Sequence, residues 1–137
     1  MQIQHESLEA VKGMATIGVV AKLRSVSDSR KEGYWIAVDF TAVPIEIIYG
    51  KVASDNVLSF TYSQGIPHRR GDVTVSPLVT GSGLELKTKR GDHVILLLSA
   101  PDSTNTKRLQ LLRMEPVGRI DSIRQLSKQR AESPQSA

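Results

Sequence analysis

The chain has 137 residues, of which 39% are hydrophobic and 4% aromatic, and its 18 basic and 14 acidic side chains give a formal net charge of +4. This length predicts one ordinary domain, and the shortage of aromatic residues predicts a core of Val, Ile and Leu, a mixture that favours strands. The absence of cysteine excludes disulfides, thiolate metal sites and a cysteine nucleophile. No apolar run approaches the roughly 20 residues that span a bilayer, so no transmembrane segment is expected.

A short helix is predicted near the start of the chain. Ser7 is suited to cap it, Glu9 falls in the first turn, where the helix dipole favours an acid, and Gly13 weakens or ends it. The opening residues, MQIQHESLEA, contain no basic segment followed by an apolar one. We therefore expect either a cytoplasmic protein or a mature form from which a signal peptide has been removed.

A hairpin of two strands is predicted next. From Thr16 onwards apolar residues alternate with other residues, which places Lys22 and Arg24 on the polar face of a half-buried strand. Residues 27–33 are polar and predict a loop. The alternation then resumes over residues 34–42 and predicts the second strand of the hairpin.

The middle of the chain is predicted to contain shorter and less regular strands. Pro44 has no N–H to donate, so we expect the ladder to be interrupted there and a bend or an edge to follow as far as Gly50. A further strand is predicted over residues 57–62. Residues 73–79 are a weaker strand candidate because Pro77 interrupts them, and their register stays open.

The clearest hairpin lies in the second half of the chain. Residues 93–99 follow a Gly-Asp turn as a strand with an unbroken apolar run, and residues 108–115 are predicted to pair back with them. Beyond Pro116, apolar residues at every third position predict an amphipathic helix; they are Val117, Ile120, Ile123 and Leu126. Residues 131–137 are polar and predict a disordered tail, which leaves a single expected domain over residues 7–130.

These elements together predict a mainly β protein. The expected fold is a small OB-like Greek-key barrel of five or six strands, with a short N-terminal helix and a C-terminal amphipathic helix. A parallel sheet is disfavoured because no helical pattern lies between the strands to act as a crossover.

Four segments carry a resemblance to a known family: the helix SLEAVKGMA, the strand TIGVVAKLRSV, the segment EIIYGK and the turn and strand LKTKRGDHVILLLS. Over most of residues 7–115 they resemble the OB-like modules of the netrin and tissue-inhibitor-of-metalloproteinase superfamily. Bacterial relatives have a Leu-Lys-Gly-like corner and then a Gly-x-x-Val-x-x-Phe-Leu-like strand. The residues that stand near these two patterns here are Tyr49, Gly50 and Lys51 for the corner, and Gly91, Val94, Leu97 and Leu98 for the strand.

The resemblance implies little about activity. Metalloproteinase inhibitors of this superfamily reach the catalytic zinc with an N-terminal cysteine, which this chain does not have, so inhibition is not carried over. Bacterial members are generally small exported proteins of unknown role. The resemblance therefore favours the periplasm or cell envelope if a signal peptide was removed, and the cytoplasm otherwise.

The triplet Arg-Gly-Asp occurs twice, at residues 70–72 and 90–92. An integrin-binding motif would need both copies at exposed loop tips in a protein that meets animal cells. Gly-Asp is also favoured in turns that precede strands, because Gly accepts a positive φ and Asp hydrogen-bonds its own backbone. Both copies precede segments that contain Val, and we interpret both as turns.

No catalytic, metal or cofactor motif is recognised in the sequence. The histidines match no zinc-ligand spacing; they are His5, His68 and His93. The candidate carboxylates have no recognisable acid-base partner; they are Asp39, Glu46 and Asp55. The Gly-Ser-Gly of residues 81–83 lacks the Lys-Ser/Thr of a phosphate-binding loop. We therefore expect a protein that is not an enzyme and that holds no metal or cofactor.

Basic residues are concentrated in the second half of the chain. They are His68, Arg69, Arg70, Lys87, Lys89, Arg90, Lys107, Arg108 and Arg113. A nucleic-acid site on an OB barrel would add stacking aromatics, for which Tyr34, Trp35 and Tyr62 are the candidates. The other interpretation is a solvated strand face that prevents edge pairing.

The expected function is a non-enzymatic binding or accessory module that engages a protein or cell-envelope partner. The alternative is a single-stranded nucleic-acid-binding OB protein, in which basic side chains contact phosphate and an aromatic ring stacks on a base. The candidate binding surface comprises Trp35, Arg69, Arg70, Lys89 and Arg90. A hydrolase would require a pocket lined by a perturbed carboxylate or histidine, such as Asp39 or His93. The partner and the oligomeric state are left open.

Overall fold

A computed structural model describes residues 4–51, 57–99 and 109–125 of the chain. The strands are β1 (Gln4–His5), β2 (Ile17–Val26), β3 (Arg30–Glu32), β4 (Trp35–Tyr49), β5 (Leu58–Gly65), β6 (His68–Arg70), β7 (Val73–Val75), β8 (Leu78–Val79), β9 (His93–Ser99) and β10 (Leu109–Pro116). Helix α1 spans Leu8–Met14, and 3₁₀ turns lie at Leu84–Leu86 and Val117–Arg119. Residues 120–125 are helical and are called α2. No helix among the described residues is long and apolar enough to cross a membrane.

Five strands close into a barrel. They are hydrogen-bonded in the order β2-β9-β10-β5-β4, and β4 pairs back with β2 to complete the ring. Every neighbouring pair is antiparallel except β5 and β10, which run parallel. The fold is therefore a mainly β, OB-like Greek-key barrel with a helix towards each end of the chain, as predicted.

The barrel interior holds most of the buried apolar side chains. Phe40 and Phe60 face each other from directly paired positions of β4 and β5, with ring centroids 5.2 Å apart. Most of the remaining interior is aliphatic, contributed by alternate residues of the five strands, among them Val19, Leu23, Leu58, Leu96, Leu98 and Leu111. Although the sequence has few aromatic residues, Phe40 and Phe60 are both part of the barrel core.

A second apolar cluster lies outside the barrel, between its wall and the two helices. Its buried members are Val11, Ala15, Val20, Ile95, Leu97 and Ile123. Lys12 of α1 donates through Nζ to the carbonyl oxygen of Ile123 in α2, at 2.9 Å. Ser7 caps α1 by accepting from the backbone N–H of Ala10 at 3.2 Å, as predicted. Both helices are therefore fixed to the barrel wall.

Strand β4 continues through Pro44, where the sequence predicted an interruption. Pro44 lies opposite Ala21 of β2, and Glu46 lies opposite Val20. The β2–β4 register shifts between these two pairs, at Ile45. A bulge at this point accommodates a residue that has no N–H to give to the ladder. The strand then reaches Tyr49, so the predicted bend is a local irregularity inside one long strand.

Short strands are also present in the segment predicted as a loop and in the weak strand candidate. Residues 30–32, within the predicted loop, form β3 and pair with the start of β4. The weak strand candidate over residues 73–79 is divided into β7, which forms a hairpin with β6, and β8, which pairs in parallel with β1. The predicted C-terminal helix begins with a 3₁₀ turn at Val117–Arg119. Leu126 and the predicted tail lie outside the described residues.

Candidate functional site

The residues of the predicted binding surface fall into two groups. Trp35 opens β4 and pairs with Gly65 at the end of β5, shortly before the β6–β7 hairpin that carries Arg69 and Arg70. Lys89 and Arg90 instead precede β9, and Arg90 lines a cleft beside Val43. Trp35 and Val43 are eight positions apart on β4, roughly 26 Å along an extended strand. We treat the two groups as separate surfaces.

The first surface, the aromatic end, comprises Tyr34, Trp35, His68, Arg69 and Arg70. The rings of Tyr34 and His68 stack with centroids 3.9 Å apart and planes 12° apart. The backbone N–H of Ile66 donates to the carbonyl oxygen of Tyr34 at 2.8 Å, which holds the chain leading to the hairpin beside β4. Trp35 is 57% exposed, and both arginines are exposed. The aromatic end therefore presents the exposed ring of Trp35 near basic side chains.

The second surface, the basic cleft, is a depression of about 400 Å³ lined by Lys22, Leu23, Arg24, Val43, Arg90 and Gly91. Its exposed apolar side chain is Val43 of β4, which pairs with Lys22 of β2, whereas the Leu23 side chain is buried in the barrel interior. Lys22, Arg24 and Arg90 are exposed around it. The cleft therefore combines an apolar floor with a positively charged rim.

The turn that carries Arg90 is fixed to β2 by backbone hydrogen bonds. Gly91 N–H donates to the carbonyl oxygen of Leu23, and Leu23 N–H donates to that of Asp92, both at 2.8 Å. The Asp92 carboxylate accepts from the Lys89 N–H at 2.9 Å, and Gly91 has a φ of +96°. Because Gly adopts this φ without strain and Asp closes the turn, the interpretation of this triplet as a turn is confirmed.

Arg24 lies at a bulge in β2 and on the same face of the strand as Lys22. The β2–β4 register shifts between Leu23 and Ser25, so Arg24 has no partner residue of its own on β4. Lys22 was placed on the polar face of this strand from the sequence, and it is exposed there. The sequence did not indicate that Lys22 and Arg24 lie beside Arg90, because β2 and the turn before β9 are distant in the chain.

Exposed apolar side chains extend from the cleft along β4. Val43, Ile45 and Ile47 are 44%, 55% and 37% exposed, and we call them the β4 apolar surface. Ile45 falls at the register shift next to Pro44. The alternation of Ile45 and Ile47 was visible in the sequence, but a strand pattern does not tell which of its faces is covered. Val43 belongs to both features, so the β4 apolar surface and the basic cleft are continuous.

Polar groups at one end of the barrel are engaged with the backbone. The buried Glu85 carboxylate accepts from the N–H groups of Ser82, Gly83 and Met114, at 2.9, 2.9 and 2.8 Å. The hydroxyl of buried Tyr62 donates to Gln64 at 2.7 Å. Burial, and then the nearby charge of Glu85, raise the pKa of Tyr62 above its ordinary value. These residues hold the Leu84–Leu86 turn over the barrel end.

A further cleft, lined in part by Ser82, Lys87, Arg113 and Glu115, lies beside these groups. Arg113 donates to Glu115 at 2.6 Å and to the carbonyl oxygen of Glu6 at 2.7 Å. Arg113 and Glu115 form an ion pair, and both side chains are largely buried. The arginine therefore joins β10 to the segment before α1, which is a structural role.

The two residues named for a hydrolase, Asp39 and His93, are not among the described lining residues of either cleft. Asp39 accepts from Arg30 at 2.5 Å and from the Thr61 hydroxyl at 2.7 Å, and so links β3, β4 and β5. His93 is exposed at the start of β9. Among the described residues, no group of three or more His, Asp or Glu is placed to hold a metal ion.

Comparison with known proteins adds no identification. The sequence matches no protein-family model and no curated protein. The resemblance to the netrin and tissue-inhibitor-of-metalloproteinase superfamily therefore stays a prediction. The function is inferred from the surfaces of the chain itself.

Proposed function

We propose that this chain is a non-enzymatic binding module that engages a protein partner through the outer wall of its barrel. The observation that carries the proposal is the β4 apolar surface, where Val43, Ile45 and Ile47 are exposed along one strand. Burying apolar surface stabilises a complex by about 25 cal/mol for each Å² removed from water. Adjacent exposed aliphatic side chains are a frequent sign of an interaction site.

The surroundings of the β4 apolar surface favour a protein partner. The strand that carries it is part of the closed barrel and pairs with β2 along this stretch, so binding needs little ordering of the backbone. Lys22, Arg24 and Arg90 lie next to Val43 at the basic cleft. An apolar centre with a charged rim is the usual arrangement of a protein interface.

The contacts of two acidic residues of the barrel also favour a binding role over catalysis. Glu85 accepts hydrogen bonds from backbone N–H groups. Asp39 accepts from Arg30 and Thr61. Both carboxylates thus support the fold. The resemblance to exported bacterial modules makes the cell envelope the first place to search for the partner.

The test is affinity capture of cross-linked partners with matched variants. Ile45→Asp places a charge in the β4 apolar surface, and Val73→Asp places one on β7, where Val73 is 63% exposed. We expect a partner that is captured by the wild type and by Val73→Asp but lost with Ile45→Asp, with unchanged circular dichroism in both variants. Equal capture by Ile45→Asp and the wild type would contradict the proposal.

A second candidate function is single-stranded nucleic-acid binding, which the aromatic end favours. Trp35 is exposed near Arg69 and Arg70, and stacking on an aromatic ring with phosphate contacts from arginine is how OB barrels bind single strands. Fluorescence anisotropy of labelled oligonucleotides at about 50 mM and about 200 mM salt tests it, since phosphate-driven binding weakens steeply over this range.

The variants for this second test are Trp35→Ala and Arg69→Glu. Under this hypothesis both weaken oligonucleotide binding, and only Arg69→Glu reduces its salt dependence. Binding that is absent at the lower salt concentration, or that is unchanged in both variants, excludes the aromatic end as a nucleic-acid site.

A further inference from the structure

We propose that the basic cleft binds an acidic segment of the protein partner, with an aliphatic side chain seated against Val43 and carboxylates facing Lys22, Arg24 and Arg90. The inference rests on the proposed function and names the chemistry that its partner must present. It concerns the cleft of about 400 Å³ between the turn before β9 and strands β2 and β4.

The charges around the cleft are of one sign. Its described lining residues include Lys22, Arg24 and Arg90 and no acid. The nearby Asp92 carboxylate already accepts from the Lys89 N–H inside the turn. Glu46, farther along β4, is paired with Arg124 of α2. A concave site with like charges around it attracts anionic groups and repels cationic ones.

The floor of the cleft selects for an aliphatic group. Val43 is the exposed apolar side chain of the described lining, which includes no aromatic residue, while the Leu23 side chain is buried in the barrel. Single-stranded nucleic acids gain much of their affinity by stacking bases on aromatic rings, and the exposed Trp35 lies at the other surface. An acidic segment with Leu, Ile or Val next to the acid fits the cleft better than a nucleotide does.

The cleft is held in shape before any ligand arrives. Two backbone hydrogen bonds of 2.8 Å join the Arg90 turn to Leu23, and Lys22 lies on a strand paired on both edges, with His93 and with Val43. The backbone positions of all three basic residues are therefore fixed relative to each other. Such a site loses little entropy on binding, which favours recognition of a short segment.

Continuity with the β4 apolar surface favours a polypeptide over a small anion. From Val43 to Ile47 the exposed apolar residues extend over roughly 13 Å of strand beyond the cleft. A small carboxylate or phosphate would leave this surface uncovered. An extended segment that enters the cleft with its acidic residues can cover Ile45 and Ile47 with the residues that follow.

The experiment is a selection from a library of short random peptides displayed on phage, against the immobilised full chain. We expect the selected peptides to share adjacent acidic and aliphatic residues. Synthetic copies are then titrated by fluorescence anisotropy against the wild type and three variants. Arg90→Glu and Arg24→Glu reverse charges at the cleft, and Lys31→Glu reverses an exposed charge on β3 as a matched control.

Arg90→Glu and Arg24→Glu are expected to raise the dissociation constant about tenfold or more, because like charges then face each other, and Lys31→Glu to change it less than about twofold. Selection of peptides without acidic residues, equal effects of all three variants, or displacement of the peptide by oligothymidylate would each overturn the inference. If the partner is still lost with Ile45→Asp in such a case, the proposed function stands and only the acidic segment is rejected.

Discussion

The two Arg-Gly-Asp turns have the same sequence and different surroundings. Residues 70–72 close the β6–β7 hairpin, which forms its own two-stranded sheet outside the barrel ladder. Residues 90–92 lead into β9, whose apolar residues 94–98 are all buried in the barrel or beneath the helices. Both glycines have positive φ, +65° at Gly71 and +96° at Gly91. The triplet therefore specifies a turn in each case, and the strand that follows decides how firmly it is held.

A local motif thus fixes the direction of the backbone but not the residues that surround it. The second turn is clamped to β2 through Leu23, and its arginine lies beside Lys22 and Arg24 of that strand, whereas Arg70 of the first turn lies beside Arg69 of its own hairpin. We therefore expect the two turns to respond differently to the same substitutions. Substitutions at matched positions of the two turns and of the strands that follow them test this expectation.

The strands after the two turns should differ most. Leu96 is fully buried in β9, and Leu96→Ala should lower the free energy of unfolding by about 2–5 kcal/mol because it leaves a cavity. Val73→Ala, at an exposed position of β7, should change it by less than about 0.5 kcal/mol. Urea unfolding followed by circular dichroism measures both, and losses of similar size would refute the contrast.

The glycines of the turns should differ less. An added Cβ meets no atom within 4 Å at either position, so Gly→Ala tests backbone strain alone. Gly91→Ala should cost about 1–2 kcal/mol, since the clamp to Leu23 holds the left-handed conformation. Gly71→Ala should cost clearly less, because the small hairpin can rearrange without opening the barrel. A larger loss for Gly71→Ala in thermal unfolding would reverse the comparison.

The aspartates should differ least. Asp92→Ala removes the acceptor of the Lys89 N–H and should cost about 1 kcal/mol. Asp72 is exposed in the turn of the β6–β7 hairpin, and Asp72→Ala should be near neutral. Amide hydrogen exchange at Lys89 measures the local effect. We expect faster exchange in Asp92→Ala and no change in Asp72→Ala. Unchanged exchange in Asp92→Ala would contradict a stabilising role for the Asp92 hydrogen bond.

The parts of the fold that were predictable are those set by local chemistry. The alternation of residues in β2 and β9, the Ser7 cap and the turns before β7 and β9 follow from side-chain periodicity and backbone preference. The passage of β4 through Pro44 and the parallel pairing of β1 with β8 were not predictable in this way. Both depend on which strand lies alongside, and that information is absent from a local pattern.

The candidate site was predictable only in its components. Arg90 and its turn were identified from the sequence, and Lys22 and Arg24 were assigned to a polar strand face. Their meeting at one cleft depends on the pairing of β2 with β4 and on the two hydrogen bonds between Leu23 and the turn. The exposure of Ile45 was not predicted, because the alternation of Ile45 and Ile47 does not tell which face of the strand is covered.

Strand β3 has a consequence for how copies of the chain behave in concentrated solution. The order of the six-stranded sheet ends at β3, which is three residues long and consists of Arg30, Lys31 and Glu32, all exposed. A short, charged terminal strand is a poor template for edge-to-edge association, and the remaining strands of that sheet form the closed ring. The six-stranded sheet thus offers little edge for backbone pairing between copies of the chain.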